Sequence, residues 1–360
     1  MVKVGARMFY NNRIYREDLK YIFRTVNSLD KLNNCNVLVT GASGLIGSLL
    51  VDELMFCNEI GKFGINVFAL GRNKLTLEKR FKTHYNNKYF HIIQHDVSYP
   101  LDCSYKFDYI IHAASNAYPQ AFITDPVGTV MGNVSGVYNL LEYSRKNGLK
   151  RFLFVSSGEV YGEGIEDNIE FDEKYSGYVD NTNIRACYPN AKRTAETLCV
   201  AYTHQYGIET VIARPCHVYG PTFTSKDNRA SFQFIKNVIN NEDIVMKSKG
   251  LQIRSYCYTS DCVSGILTIL LHGATGNAYN IANKKSIVSI REIAEIIAEI
   301  AGKKIITELP SEIEKMSYNP STRSVLNANK LESLGWEPKF DMRTGLERTI
   351  NIVKQVYNQM

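Results

Sequence analysis

The segment Thr40-Gly41-Ala42-Ser43-Gly44-Leu45-Ile46-Gly47 constrains this chain more than any other. An apolar, β-branched run, Asn36–Thr40, leads into it, and a stretch of helical periodicity, Leu45–Cys57, leads out. Strand, glycine-rich turn and helix in that order open a βαβ unit. Glycines permit the tight turn and let backbone N–H groups approach an anion, while the positive end of the helix holds phosphate. Gly41, Ser43, Gly44, Leu45, Ile46 and Gly47 are therefore candidate contacts for a dinucleotide pyrophosphate.

Further strands are expected at Asn66–Gly71, Tyr89–Gln94, Phe107–His112, Arg151–Val155 and Glu209–Ala213. Helical periodicity lies between them, as in Val130–Arg145 and Ala191–Tyr206. Such alternation predicts an α/β protein with a doubly wound parallel sheet of the Rossmann type. Near-continuous apolar strands such as Phe152-Leu153-Phe154-Val155 fit a sheet covered on both faces. After residue 216 the pattern changes to helices at 229–240 and 288–302 among short strands, with a terminal helix at Thr344–Asn358. The expected organisation is an N-terminal extension over 1–35, a dinucleotide-binding domain over 36–216 with a returning segment near 250–275, and a smaller substrate-binding α/β domain drawn mostly from 217–360. In the extension, Arg16–Leu29 reads as a helix whose Leu19, Ile22, Phe23 and Val26 share one face, docked on the domain edge or in an oligomer contact.

At 360 residues with 44% hydrophobic and 22% charged composition, the chain can bury a large core, and disordered or fibrous classes are excluded. No apolar run approaches the ~18–20 residues needed to span a bilayer, and the first 34 residues lack the features of a secretory signal. The net charge of +6 is spread along the chain, which suits an anionic small molecule and gives no reason to expect a nucleic-acid partner. None of the eight cysteines has C-x-x-C spacing, so reduced thiols in a cytoplasmic protein without a metal site are expected.

The second strand ends in Leu70-Gly71-Arg72-Asn73, without the acid that usually accepts ribose hydroxyls of NAD. Arg72 can stack on adenine or neutralise a 2′-phosphate, so NAD and NADP both stay open. Asp96 and Val97, past the third strand, are placed to meet the adenine. Ala113, Ala114 and Ser115 end the fourth strand with small residues suited to close passage of a cofactor. The fifth strand runs into Ser156-Ser157-Gly158-Glu159-Val160-Tyr161-Gly162, and Tyr188-Pro189-Asn190-Ala191-Lys192 follows about thirty residues later. Tyr188 and Lys192, four apart, share a helix face. For a phenol with pKa near 10 to act as a base at neutral pH, about 3 units, roughly 4 kcal/mol, must come from its surroundings. A cation about 4 Å away supplies roughly that at an effective dielectric near 20. Lys192 and an oxidised nicotinamide are the expected sources, with Ser157 sharing the hydrogen bond to a substrate hydroxyl.

These motifs resemble those of the extended short-chain dehydrogenase/reductase family, the NAD-dependent epimerases, dehydratases and decarboxylases of nucleotide sugars. The likeness extends through Ala213-Arg214-Pro215-Cys216-His217-Val218-Tyr219-Gly220-Pro221, Gln252–Asp261 and Leu334–Pro338, covering nearly everything from Asn36 onward. It implies transient oxidation at sugar C4, with Tyr188 taking the hydroxyl proton, Lys192 and Ser157 assisting, and Pro215 beside the cofactor. It also implies that Arg254 contacts the substrate diphosphate, that Arg323 lies near the nucleotide ribose or diphosphate, and that the protein is a homodimer.

Three sequels to oxidation are weighed. The family's dehydratases carry Thr-Asp-Glu where this chain has Ser157-Gly158-Glu159, so the acid needed for dehydration is missing. A simple 4-epimerase needs no carboxylate at Glu159. Decarboxylases of UDP-glucuronate combine Ser or Thr, a small residue and Glu at this point, and Lys192–Leu198 is similar to theirs. Decarboxylation of a UDP-glucuronate-like substrate is therefore expected first, ahead of 4-epimerisation and 4,6-dehydration. A dinucleotide-binding regulatory protein is the non-enzyme alternative. Two departures mark the substrate side: His217 replaces the usual Asn, and Asn116-Ala117-Tyr118-Pro119 differs from the decarboxylase loop.

Overall fold

The computed structural model describes residues 9–164, 170–224, 227–308, 310 and 322–358. Its strands are β1 (Asn36–Thr40), β2 (Asn66–Gly71), β3 (Phe90–Gln94), β4 (Tyr109–His112), β5 (Arg151–Val155), β6 (Glu170–Phe171), β7 (Thr210–Pro215), β8 (His217–Tyr219), β9 (Ile244–Met246), β10 (Ile253–Tyr258), β11 (Asn277–Ile281), β12 (Ile287–Ser289), β13 (Ile305–Thr307) and β14 (Arg323–Leu326). Seven of them form one sheet in the order β11-β7-β5-β4-β1-β2-β3, and every pairing in it is parallel. The order reverses between β1 and β4, the point at which such sheets open a crevice beyond their carboxyl ends. Alternate residues of each strand serve opposite faces, which is why Val37 and Val39 join one apolar cluster and Leu38 another. The seventh strand, Asn277–Ile281, joins the large sheet from beyond the expected returning segment near 250–275.

The second sheet runs β12-β10-β14-β6, with β8 also paired to β10, and a separate β9–β13 pair stands beside it. A third apolar cluster, around Phe232, Phe234, Ile293 and Ile297, underlies this smaller unit. The helices that matter for the site are α1 (Arg13–Thr25), α2 (Leu45–Phe56), α3 (Lys74–Arg80), α4 (Pro119–Thr124), α5 (Pro126–Asn147) and α6 (Cys187–Tyr206). Among the described residues no helix is long and apolar enough to cross a membrane.

Helix α1 begins three residues earlier than its apolar pattern predicts, because Asn12 caps it by accepting from the Tyr15 N–H. It buries Leu19, Ile22 and Val26 against α2 and the helix Thr259–His272. That cover explains the composition of α2, in which every residue from Gly47 to Phe56 is buried. Asp52 and Asp18 are among the buried carboxyls of this shielded layer. Asp52 receives Tyr15 Oη at 2.7 Å, Arg80 at 2.5 Å and His84 Nε2 at 2.9 Å. Asp18, on α1, receives Tyr258 Oη at 2.7 Å and Arg348 Nε at 2.8 Å. All eight cysteines are free thiols, five of them buried.

Candidate active site

A continuous cleft of about 1360 Å³ runs from the α2 turn, across the carboxyl ends of the large sheet, to the small domain. That exceeds the roughly 300–1,000 Å³ typical of one small-ligand site. The glycine turn forms one end. Gly41 has φ +64°, and a Cβ there would stand 2.7 Å from the Ala113 carbonyl oxygen. A methyl on Gly47 would overlap the Gly41 carbonyl oxygen. Thr40 Oγ1 meets His112 Nδ1 at 2.7 Å and accepts from the Ala114 N–H, tying β1 to β4 behind the turn.

Ser43, Gly44, Leu45, Ile46, Arg72, Asp96, Val97, Ala113, Ala114, Ser115 and Pro215 all line this cleft with Gly41 and Gly47. A cradle only glycine fits, an open helix N-terminus and Arg72 beside Asp96 at the far end together suit a dinucleotide. In the same wall the buried Ser115 Oγ has no hydrogen-bond partner among the described residues. A buried hydroxyl left so costs about 1–3 kcal/mol unless a ligand meets it.

Ser157, Tyr188 and Lys192 face the cleft from the end of β5 and the first turns of α6. Burial pushes the Tyr188 phenol up to about 12, the Ser157 hydroxyl pulls it back, Glu159 opposes, and Arg229 and Arg185 lower it. Lys192 is held beside the phenol. Its Nζ donates to the Val155 carbonyl at 2.9 Å and lies 5.7 Å from the Tyr188 ring centroid. Burial brings the Lys192 pKa down to about 7, against the pull of Glu196 one turn on. The ammonium is thus anchored on the sheet end, poised beside the phenol, and its charge is cheap to remove.

Glu196 belongs to a buried relay that sequence spacing did not single out. It receives Ser156 Oγ at 2.5 Å and Arg214 Nη2 at 2.6 Å, and Arg214 donates onward to Tyr161 Oη at 3.0 Å. This relay fixes the strand end that presents Ser157.

Glu159 and Gly158 also line the cleft. Glu159 Oε1 accepts from Arg185 Nη2 at 2.8 Å. A Cβ on Gly158 would lie 3.1 Å from Leu326 Cδ2, so a side chain there has to displace Leu326. On the small-domain side the cleft wall holds Asn116, His217, Arg229, Arg254 and Tyr256. Burial brings His217 down to about 3, and the charges of Arg254, Arg229 and Arg185 act the same way, so it is a neutral imidazole. Ser324 and Leu326 of β14 line the cleft, and Arg323 begins the same strand.

Three cleft residues had no signal in local spacing. Arg185 Nε, Asn228 Oδ1 and Gln252 Oε1 are buried in the wall without a partner among the described residues. Gln252 sits two residues before Arg254, so strand alternation was the available clue. No group of three His, Cys, Asp or Glu among the described residues is arranged to hold a metal.

Comparison with known proteins agrees with this geometry. A family model described as the NAD dependent epimerase/dehydratase family matches residues 37–282. UDP-glucuronic acid decarboxylase 6 of Arabidopsis thaliana is 35% identical over 315 residues, 87% of each chain. An epimerase from Methanothermobacter thermautotrophicus superposes with TM-score 0.77 at 23% identity, covering 92% of this chain and 95% of its own. UDP-glucuronic acid 4-epimerase from Bacillus cereus, solved with UDP-glucuronic acid and NAD, gives 0.75 at 24% identity, covering 89% of this chain and 99% of its own.

Proposed function

The chain belongs to the NAD dependent epimerase/dehydratase family, whose members are NAD-dependent enzymes modifying nucleotide sugars, and from that premise we propose that it decarboxylates UDP-glucuronate through transient oxidation at C4. The observation that carries this reading is the Ser157-Gly158-Glu159 corner. Glu159 is ion-paired to Arg185 at 2.8 Å, and position 158 is tight against Leu326. The acid that dehydration needs is absent, since position 158 is glycine. The decarboxylase relatives cover most of both chains, which favours the same sequel.

The Gly41–Gly47 turn, Arg72 and Asp96 would hold NAD, which would supply a hydride acceptor for C4 and the hydride for its later return. The chain's own groups do the rest. Tyr188 accepts the proton of the sugar 4-hydroxyl, helped by the Ser157 hydroxyl and the nearby Lys192 ammonium. The resulting ketone is β to the C6 carboxylate. The C5–C6 bond then breaks, its electron pair passes into the enolate of the ketone, and CO₂ leaves. A proton is added to C5, and Tyr188 gives its proton back to O4 when the ketone is reduced, so the net change is one proton taken up and one CO₂ released. Arg254 supplies positive charge that a diphosphate needs, with Arg229, itself paired to Asp227 at 2.6 Å, in the same wall.

Incubation with UDP-glucuronate followed by mass spectrometry tests the reading. A product lighter by about 44 Da, the mass of CO₂, is expected, from a site that stabilises developing charge. An isomer of unchanged mass would instead mean 4-epimerisation. No change in the presence of NAD would overturn the proposal.

A further inference from the structure

Arg185 is assigned no part in the chemistry above, yet its surroundings are those of a ligand contact. It lies in the short turn Ile184–Ala186, one turn before Tyr188, and its side chain is only 12% exposed. Its guanidinium carbon stands 5.6 Å from the centroid of the Phe122 ring, and Phe122 stacks on Tyr188 at 4.5 Å with 17° between planes. The guanidinium is thereby fixed in the layer that holds the reacting phenol. One of its five N–H groups is used by Glu159. Its Nε is buried without a partner among the described residues. The guanidinium therefore has donors in the cleft wall that no acceptor among the described residues uses.

We propose that Arg185 selects an acid-bearing sugar over a neutral one, its remaining donors receiving the substrate carboxylate beside Glu159. This rests on the reading of the cleft as a nucleotide-sugar site. A guanidinium suits the role because its planar fork meets both oxygens of a carboxylate, and it stays charged at any working pH. A hydroxymethyl group in the same place leaves that charge sharing only Glu159. The diphosphate falls to other cations, Arg254 and Arg229, so discrimination at the sugar separates from affinity for the nucleotide.

The test uses the NAD-loaded Tyr188→Phe protein, which removes turnover, and measures binding of UDP, UDP-glucose and UDP-glucuronate by calorimetry. The expected result is at least a tenfold preference for the uronate over the neutral sugar, falling to within about twofold of unity when Arg185→Gln is added, with UDP affinity little changed. A second variant acts independently of any folding defect at 185. Adding Glu159→Gln frees the guanidinium of its resident carboxylate and is expected to increase the preference severalfold. Persistence of the full preference in Arg185→Gln overturns the proposal, as does an unchanged ratio in Glu159→Gln or no preference in the parent. Failure of all three ligands to bind the parent instead overturns the nucleotide-sugar reading itself.

Discussion

Burial pushes the Tyr188 phenol up to about 12, so positive charge beside it is needed before it can take a proton at neutral pH. Occupation of the neighbouring dinucleotide site has to supply the missing charge, and a Tyr188→Phe variant is expected to bind NAD normally while losing turnover by at least about 10³-fold, because general-base contributions are of that order. Cofactor titration alongside product assay checks both halves. Gly47→Ala should raise the NAD dissociation constant tenfold or more, read by the same titration, since its methyl collides with the Gly41 carbonyl. These two residues were legible in sequence because Tyr-x-x-x-Lys and the glycine turn are local patterns. Arg185, Gln252 and Glu196 were not. Their roles come from what the fold brings opposite them, and Arg185 meets Glu159 only because the turn before α6 packs against the end of β5.

Among elements, the strands with uninterrupted apolar runs were read from sequence with their observed ends: β1, β2 and β5 coincide residue for residue. Helices α1 and α5 begin earlier than their apolar periodicity predicts. Helix α5 starts at Pro126, where Asp125 accepts from the Gly128 N–H, and α1 starts at Arg13 under Asn12, so in both the polar cap and not the apolar stripe sets the boundary. The docking of α1 depends on its polar pins. Tyr15→Phe removes one donor to the fully buried Asp52 and is expected to cost about 1.5–3 kcal/mol in urea unfolding, the range for a hydrogen bond to a charged group. Helix α5 leaves Val127, Met131 and Tyr138 exposed at helical spacing. We propose a second copy of the chain as the cover for that stripe. Met131→Lys together with Tyr138→Lys is expected to halve the mass seen by light scattering, and an unchanged mass would reject this face.

At the scale of the whole molecule, pH acts through buried neutral groups. His112 is fully buried, and burial, reinforced by Lys192, brings its pKa to about 3. The unfolded chain has a histidine near 6.5 that binds its proton more readily, so this term is fully stabilising above pH 6.5 and is lost as pH falls from there toward 3, by a few kcal/mol at about 1.4 kcal/mol per unit. Asp18 and Asp261 work in the opposite sense. Burial raises them to about 7 and about 6, so their contribution is lost as pH rises from about 4 through those values. The stability difference between the parent and His112→Gln, followed from pH 7 to pH 4, isolates the histidine and is expected to shrink as the pH drops. Thr222 Oγ1, which donates to the Leu45 carbonyl at 2.8 Å, ties the segment after β8 to the first turn of α2.

The first helix has its seat on material that the ribosome makes last. Asp18 waits for Arg348, Asn12 for Gln355 and Tyr21 for Asp261, contacts separated by 330, 343 and 240 positions. At roughly 5–20 residues per second, an amphipathic strip and the greasy back of its neighbour stand uncovered for tens of seconds on each nascent chain. Production of this protein in a foreign host should therefore respond more to chaperone supply than its final stability alone would suggest.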